Sequence, residues 1–148
     1  MIGVVVVTHG QLATELVNAA ETIVGDQRQF AAVSIGWHDD VDDAREESRQ
    51  AMARVAGDAG VLLLTDMFGG TPSNLAMTFL DDEKVQVVTG VNLPMLIKLA
   101  GLRDSADLRV AARQIGDAGR AAIWVAADLL NAEARGPSAT PDAPGRQD

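Results

Sequence analysis

Four consecutive valines, Val4 to Val7, follow Ile2 and Gly3 near the start of the chain and run straight into Thr8-His9-Gly10. β-branched side chains crowd a helix and suit a pleated strand. A run that is apolar at every position, rather than at every second one, must be covered on both faces. That requirement points to a parallel sheet with helices on either side. A lone hairpin or an amphipathic bundle would not satisfy it.

The rest of the chain supplies the helices. Between Gln11 and Val24, the residues Leu12, Leu16, Ala20, Ile23 and Val24 fall on one helical face, and Gly25-Asp26 ends the pattern. Phe30 to Ile35 reads as a second strand. Trp37 to Asp40 reads as a loop in which Asp39 or Asp40 can cap a helix over Val41 to Ala56. Val61 to Thr65 is a third buried strand ending at Asp66, and a helix from Thr71-Pro72 through Leu80 follows. Lys84 to Thr89 is a fourth strand, with helices over Leu93 to Ala100 and Ser105 to Ala118 after it. Ala121 to Val125 is a candidate fifth strand, and Ala127 to Asn131 a last turn. Glu133 to Asp148 holds three of the five prolines and almost no apolar residues, so a disordered tail is expected there. The expected division is a domain over 1–132 and a tail over 133–148.

Composition narrows the function classes. A formal charge of −9 with scattered arginines argues against binding nucleic acid, as does the scarcity of aromatic side chains for stacking on bases. No apolar run reaches the roughly eighteen residues a membrane helix needs, and the start of the chain lacks a basic leader. A soluble cytoplasmic protein is expected. Without cysteine there is no disulfide framework, thiolate metal site or thiol nucleophile.

The strand alternation brings three polar or glycine-rich segments to one edge of the sheet. They are Thr8-His9-Gly10, Asp66 to Asn74, and Thr89-Gly90-Val91-Asn92. A histidine at that edge can serve as base, metal ligand or nucleophile, or simply as a packed loop residue. If the first and third strands are neighbours, Asp66 faces His9. A carboxylate on Nδ1 would then turn the Nε2 lone pair outward as a nucleophile. Gly69-Gly70 lets the backbone turn sharply and bring N–H groups close to an anion, with Thr71 as helix N-cap, Pro72 at the first helical position and the Thr71 hydroxyl as a further donor. The plainer reading of each is a turn or a cap. His38 reads as a surface residue. Asp39, Asp40, Asp42 and Asp43 read as a charged helix start, ahead of a divalent metal site; no metal or cofactor is expected. Met67 and Phe68 are an apolar pair unusual for a loop, in keeping with a docking surface.

Three motifs in order, Val6-Val7-Thr8-His9-Gly10, Thr65-Asp66-Met67-Phe68-Gly69-Gly70-Thr71-Pro72-Ser73-Asn74 and Thr89-Gly90-Val91-Asn92-Leu93-Pro94-Met95-Leu96, are similar to those of a known family. Over about residues 1–130 the chain resembles the IIA component of the mannose family of the bacterial phosphoenolpyruvate-dependent sugar phosphotransferase system. The resemblance implies an α/β three-layer sandwich: a four-stranded parallel sheet with an antiparallel fifth strand and helices on both faces. It implies that His9 receives a phosphoryl group on Nε2 from the carrier protein HPr and passes it to a IIB component. Asp66 would hold Nδ1, and the loop of Phe68, Gly69, Gly70 and Thr71 would receive the phosphoryl group. A homodimer is implied, in some members with the fifth strand exchanged between subunits, and contact with the membrane only through transporter components. Where family members for sugar transport often continue into a IIB domain, this chain has its Pro-rich tail. A free-standing IIA protein, a regulatory module without a transporter and the phosphoryl-donor subunit of a dihydroxyacetone kinase are therefore the alternatives.

Overall fold

The computed structural model describes residues 1–36 and 38–134. Four strands, β1 (Gly3–His9), β2 (Phe30–Ile35), β3 (Val61–Thr65) and β4 (Val85–Thr89), form one sheet. Six helices accompany them: α1 (Leu12–Val24), α2 (Val41–Val55), α3 (Thr71–Met77), α4 (Leu93–Leu102), α5 (Leu108–Ala121) and α6 (Ala126–Ala134). The strand order is β2-β1-β3-β4 and every neighbouring pair is parallel.

That order explains the valine run. β1 lies between β2 and β3, with Val4 opposite Phe30 on one side and Leu62 on the other. Its even positions pack with α1, α4 and α5, including Leu96, Leu99, Ala111 and Ile115. Its odd positions pack with α2 and α3, including Ala44, Ala51, Val55 and Leu75. Two cores therefore sandwich one sheet, and Val4 to Val7 are at most 1% exposed. Burying a valine side chain contributes about 1.5–3 kcal/mol, so this strand anchors the fold.

The helix over Leu93 runs on to Leu102, the turn expected over Ala127 to Asn131 is the helix α6, and three further elements differ from the sequence reading. The helix expected to reach Leu80 stops at Met77. Beyond it the N–H groups of Thr78, Phe79 and Leu80 reach only three residues back, to Leu75, Ala76 and Met77, and the Thr78 hydroxyl also donates to Leu75. The tightened turn ends the α geometry. The helix expected from Ser105 starts at Leu108, because the Asp107 carboxylate accepts the N–H groups of Arg109 and Val110 and fixes the cap there.

The third difference is larger: Ala121 to Val125 is not a strand. α5 runs on to Ala121, its last turns closed by the N–H of Ala122 to Ala118 and of Ile123 to Arg120. α6 begins at Ala126, leaving too short a stretch between them, and no fifth strand pairs with the sheet among the described residues. Ile123 and Val125 instead face solvent. Glu133 and Ala134 lie in α6; the remainder of the expected tail, and Trp37 of the expected loop, lie outside the described residues.

Candidate functional site

β1 and β3 end side by side, with Val7 opposite Thr65. His9, two residues beyond Val7, and Asp66, one beyond Thr65, are thereby brought together at the edge. His9 Nδ1 lies 2.8 Å from Asp66 Oδ2, and the same oxygen accepts the His9 backbone N–H at 3.1 Å. Asp66 Oδ1 accepts the Met67 N–H at 3.0 Å. The carboxylate thus grips both the ring and the main chain of the histidine, which fixes the ring's orientation as well as its tautomer.

Burial pushes the Asp66 carboxyl toward a higher pKa. The hydrogen bond from the His9 ring, the His9 N–H, the ring's charge and the Met67 N–H together outweigh it and hold the group below the usual carboxylate range. Asp66 is therefore ionised at neutral pH. The His9 side chain is half exposed at 51%, against 13% for Asp66. Among the described residues Nε2 has no hydrogen-bond partner, so the nitrogen with the available lone pair faces outward.

Thr8 supports this arrangement from within. Fully buried, its hydroxyl accepts the Ala13 N–H at 2.6 Å and donates to the His9 carbonyl at 3.2 Å. Ala13 is in the first turn of α1, whose N-cap position, Gln11, makes no side-chain cap. A threonine at the end of the strand thus caps the following helix in its place, closing the loop around His9. On the other side, Gly90 and Val91 N–H both donate to the Thr65 carbonyl, at 2.9 and 2.8 Å. Gly90, at φ +87°, allows that double contact, which anchors the peptide immediately before Asp66. Asn92 then caps α4 through Met95 N–H and donates to the Gly119 carbonyl, tying this turn to α5.

The segment after Asp66 passes directly beneath the imidazole. A Cβ placed on Gly70 would stand 3.3 Å from both Cε1 and Nε2 of His9, and Gly70 itself has φ +85°. Both the space and the backbone favour glycine. Gly70, not Thr71, is the N-cap of α3; Thr71 is the first helical residue, and no side chain caps that end. The expected cap by Thr71 is corrected accordingly, because the extended, left-handed Gly70 already makes the turn into the helix. With seven residues, α3 adds little dipole, so the donors at this spot are individual N–H groups of the turn. Gly70 and Thr71 N–H make no hydrogen bond among the described residues, whereas Gly69 N–H donates to Ser73 Oγ at 2.8 Å. Met67 and Phe68 stand out into solvent at 55% and 77% exposure.

His9, Asp66 and Gly70 therefore converge, with Phe68 and Gly69 on the same turn and Thr71 following Gly70 as the first residue of α3. His38 does not join them by any hydrogen bond among the described residues. Asp39 accepts the Gly36 N–H and Asp40 the Asp42 N–H, so these carboxylates fasten a loop and a helix cap. Among the described residues no three histidine, aspartate or glutamate side chains converge as metal ligands. Sequence reasoning missed Thr8 and Ser73. The available signal was chemical: a hydroxyl on a buried strand end or in the first turn of a helix needs a backbone partner.

A doubly wound α/β domain with a carboxylate-held, outward-facing imidazole where β1 and β3 part has a nucleophile that a surface-bound partner could reach. Comparison with known proteins narrows this class. Residues 3–115 match the family model EIIA-man, PTS system fructose IIA component. Over 110 residues the chain is 32% identical to the PTS system fructose-specific EIIA component of Bacillus subtilis, covering 74% of this chain and 75% of that one. It is 35% identical over 109 residues to the PTS system mannose-specific EIIAB component of Escherichia coli, covering 70% of this chain and 32% of that protein. The chain thus spans about a third of that longer relative. The solved mannose/sorbose specific IIA subunit from Enterococcus faecalis superposes with a TM-score of 0.72 at 28% identity, over 84% of this chain and 93% of that one. The PTS IIA protein associated with the fucose utilization operon from Streptococcus pneumoniae gives 0.78 at 25%, over 87% and 96%. The chain belongs to the mannose-family IIA components, the phosphocarriers of the sugar phosphotransferase system.

Proposed function

We propose that His9 is the phosphoryl acceptor of this phosphocarrier, taking the group on Nε2 from phospho-HPr and handing it to a IIB component. The observation that carries this reading is the 2.8 Å contact between Nδ1 and Asp66 with Nε2 left free beside Gly70. In the forward step the Nε2 lone pair forms a bond to phosphorus while the phosphorus–nitrogen bond to the donor breaks. The departing ring of HPr keeps that electron pair. Positive charge develops on the His9 ring and Asp66 stabilises it through Nδ1–H. Gly70 and Thr71 N–H, with the Thr71 hydroxyl, are uncommitted donors available to the phosphoryl oxygens, and Phe68 and Gly69 complete that loop. Neutral donors suit a group that must leave again, since phosphoryl transfer depends on positioning and electrostatics rather than tight holding.

The functional domain is taken as residues 1–132, acting in the cytoplasm; among the described residues no helix is long and apolar enough to cross a membrane. Two copies associating through residues 121–125, which would add an antiparallel fifth strand at β4, is the arrangement favoured by the β4 edge beyond Val85, which lacks a strand neighbour among the described residues, and by the exposed Ile123 and Val125.

Incubation with phosphoenolpyruvate, enzyme I and HPr is the test. Acid-labile phosphohistidine should form, disappear in His9→Ala, and transfer onward when a cognate IIB is added. Label that persists in His9→Ala would overturn the assignment.

A further inference from the structure

We infer that Ser73 is a positioning residue for the phosphoryl step: its hydroxyl locks the Gly69–Gly70 turn in the form that leaves the Gly70 and Thr71 N–H groups free beside His9 Nε2. The inference rests on the reading of His9 as acceptor and adds to it a residue that touches neither the ring nor the phosphoryl group.

Ser73 is 1% exposed, so its hydroxyl must find partners inside the protein. It accepts the Gly69 N–H at 2.8 Å and points its own hydrogen toward the Gly70 carbonyl at 3.4 Å. One side chain therefore addresses the main-chain groups on either side of the Gly69–Gly70 peptide. That peptide needs such a constraint. Gly69 and Gly70 sit at φ +95° and +85°, and two adjacent glycines have the widest choice of other conformations. Among the described residues no other side chain hydrogen-bonds to the main chain of Gly69 or Gly70.

The consequence falls on His9 because the spacing is close. The Cβ direction of Gly70 ends 3.3 Å from Nε2, so rotation of the Gly69–Gly70 peptide would move the Gly70 N–H relative to the point where the new bond forms. Ser73 reaches back from the third helical position to a backbone N–H, as the glutamate of a capping box does, and here the N–H it holds belongs to the turn under the acceptor.

The test compares Ser73→Ala and Ser73→Thr with the native protein, using phospho-HPr as donor. Ser73→Ala should lower kcat for phosphorylation of His9 by about tenfold with KM for phospho-HPr unchanged, less than the loss from deleting a donor outright. Ser73→Thr, which keeps the hydroxyl, should restore most of it. A purely structural role would lower Tm and leave kcat of the folded protein as it was; that result would overturn the inference. The native protein gives an independent reading. Its Gly69 amide should resist hydrogen exchange, and its Gly70 and Thr71 amide resonances should move on phosphorylation. An unprotected Gly69 amide, or unmoved Gly70 and Thr71 resonances, would also overturn it. If the native protein is not phosphorylated on His9 at all, the acceptor assignment fails and Ser73 falls with it.

Discussion

The two ends of the sheet treat their polar groups in opposite ways. At the end where the strands begin, Arg103 is 2% exposed and each of its three guanidinium nitrogens donates a hydrogen bond. Nε and one terminal nitrogen donate to the Ile2 carbonyl at 3.0 and 2.8 Å, and that terminal nitrogen also donates to the Gln29 carbonyl at 2.7 Å. The other terminal nitrogen reaches Gln27 Oε1, and the plane lies over the Phe30 ring at 5.4 Å. Burial lowers its pKa, yet a guanidinium stays charged in proteins. At the end where the strands finish, His9, Gly70 and Thr71 each keep a polar atom without a hydrogen-bond partner among the described residues. The difference separates groups that hold the chain together from groups free to meet a ligand, as the proposed phosphoryl step requires. Both ends are ordered by hydrogen bonds, and only one leaves some of its bonding capacity open.

Substitutions can break that contrast from either side. Arg103→Met should have the largest effect on stability, about 3 kcal/mol, because it strips the Ile2 carbonyl of both its guanidinium donors, leaves the Gln29 carbonyl with the Val4 N–H alone, and removes charged hydrogen bonds. The folded fraction should still be phosphorylated normally, which chemical denaturation together with a phosphorylation assay will show. Asp66→Asn should slow phosphorylation of His9 by about a hundredfold, equivalent to roughly 2.7 kcal/mol, since an amide cannot stabilise the developing ring charge.

Asp66 also has a stability signature. Its folded-state pKa is lowered, so its contribution is complete above the unfolded value of about 4 and is lost as pH falls through the lower folded value. Acid unfolding curves of the native protein and Asp66→Asn should therefore converge below about pH 4 and separate above it.

Two buried threonines sharpen the comparison further. Thr8→Val should cost roughly 1.5 kcal/mol, because the Ala13 N–H loses its acceptor. Thr65→Val should be neutral or stabilising by up to about 1 kcal/mol, since the Thr65 hydroxyl is buried with no partner. Thermal unfolding of the pair should give shifts of opposite sign, or a loss for Thr8 alone.

Legibility in the sequence followed the range of the interaction. Phe30–Ile35 and Val61–Thr65 were readable to the residue because apolar runs with clear flanks define strands locally. The pairing of His9 with Asp66 could be anticipated only by assuming that β1 and β3 are neighbours, which the observed order supplies. Arg103 could not be anticipated, since it acts on Ile2 across 101 positions of chain and no local pattern marks the partner carbonyls. Ala121 to Val125 misled for a related reason. Its apolar, β-branched content suits a strand, but a strand also needs a neighbour, and in the single chain α5 takes up its start and the rest stays open to solvent.

The proposed site stands on whether His9 takes the phosphoryl group, and on which of its nitrogens. NMR of the phosphorylated protein with isotope-labelled histidine reads phosphorus–nitrogen coupling at each ring atom. Coupling at Nε2 of His9, with Nδ1 still protonated toward Asp66, is the expected result. Coupling at Nδ1, or at any residue other than His9, would contradict the role assigned to the Asp66 contact.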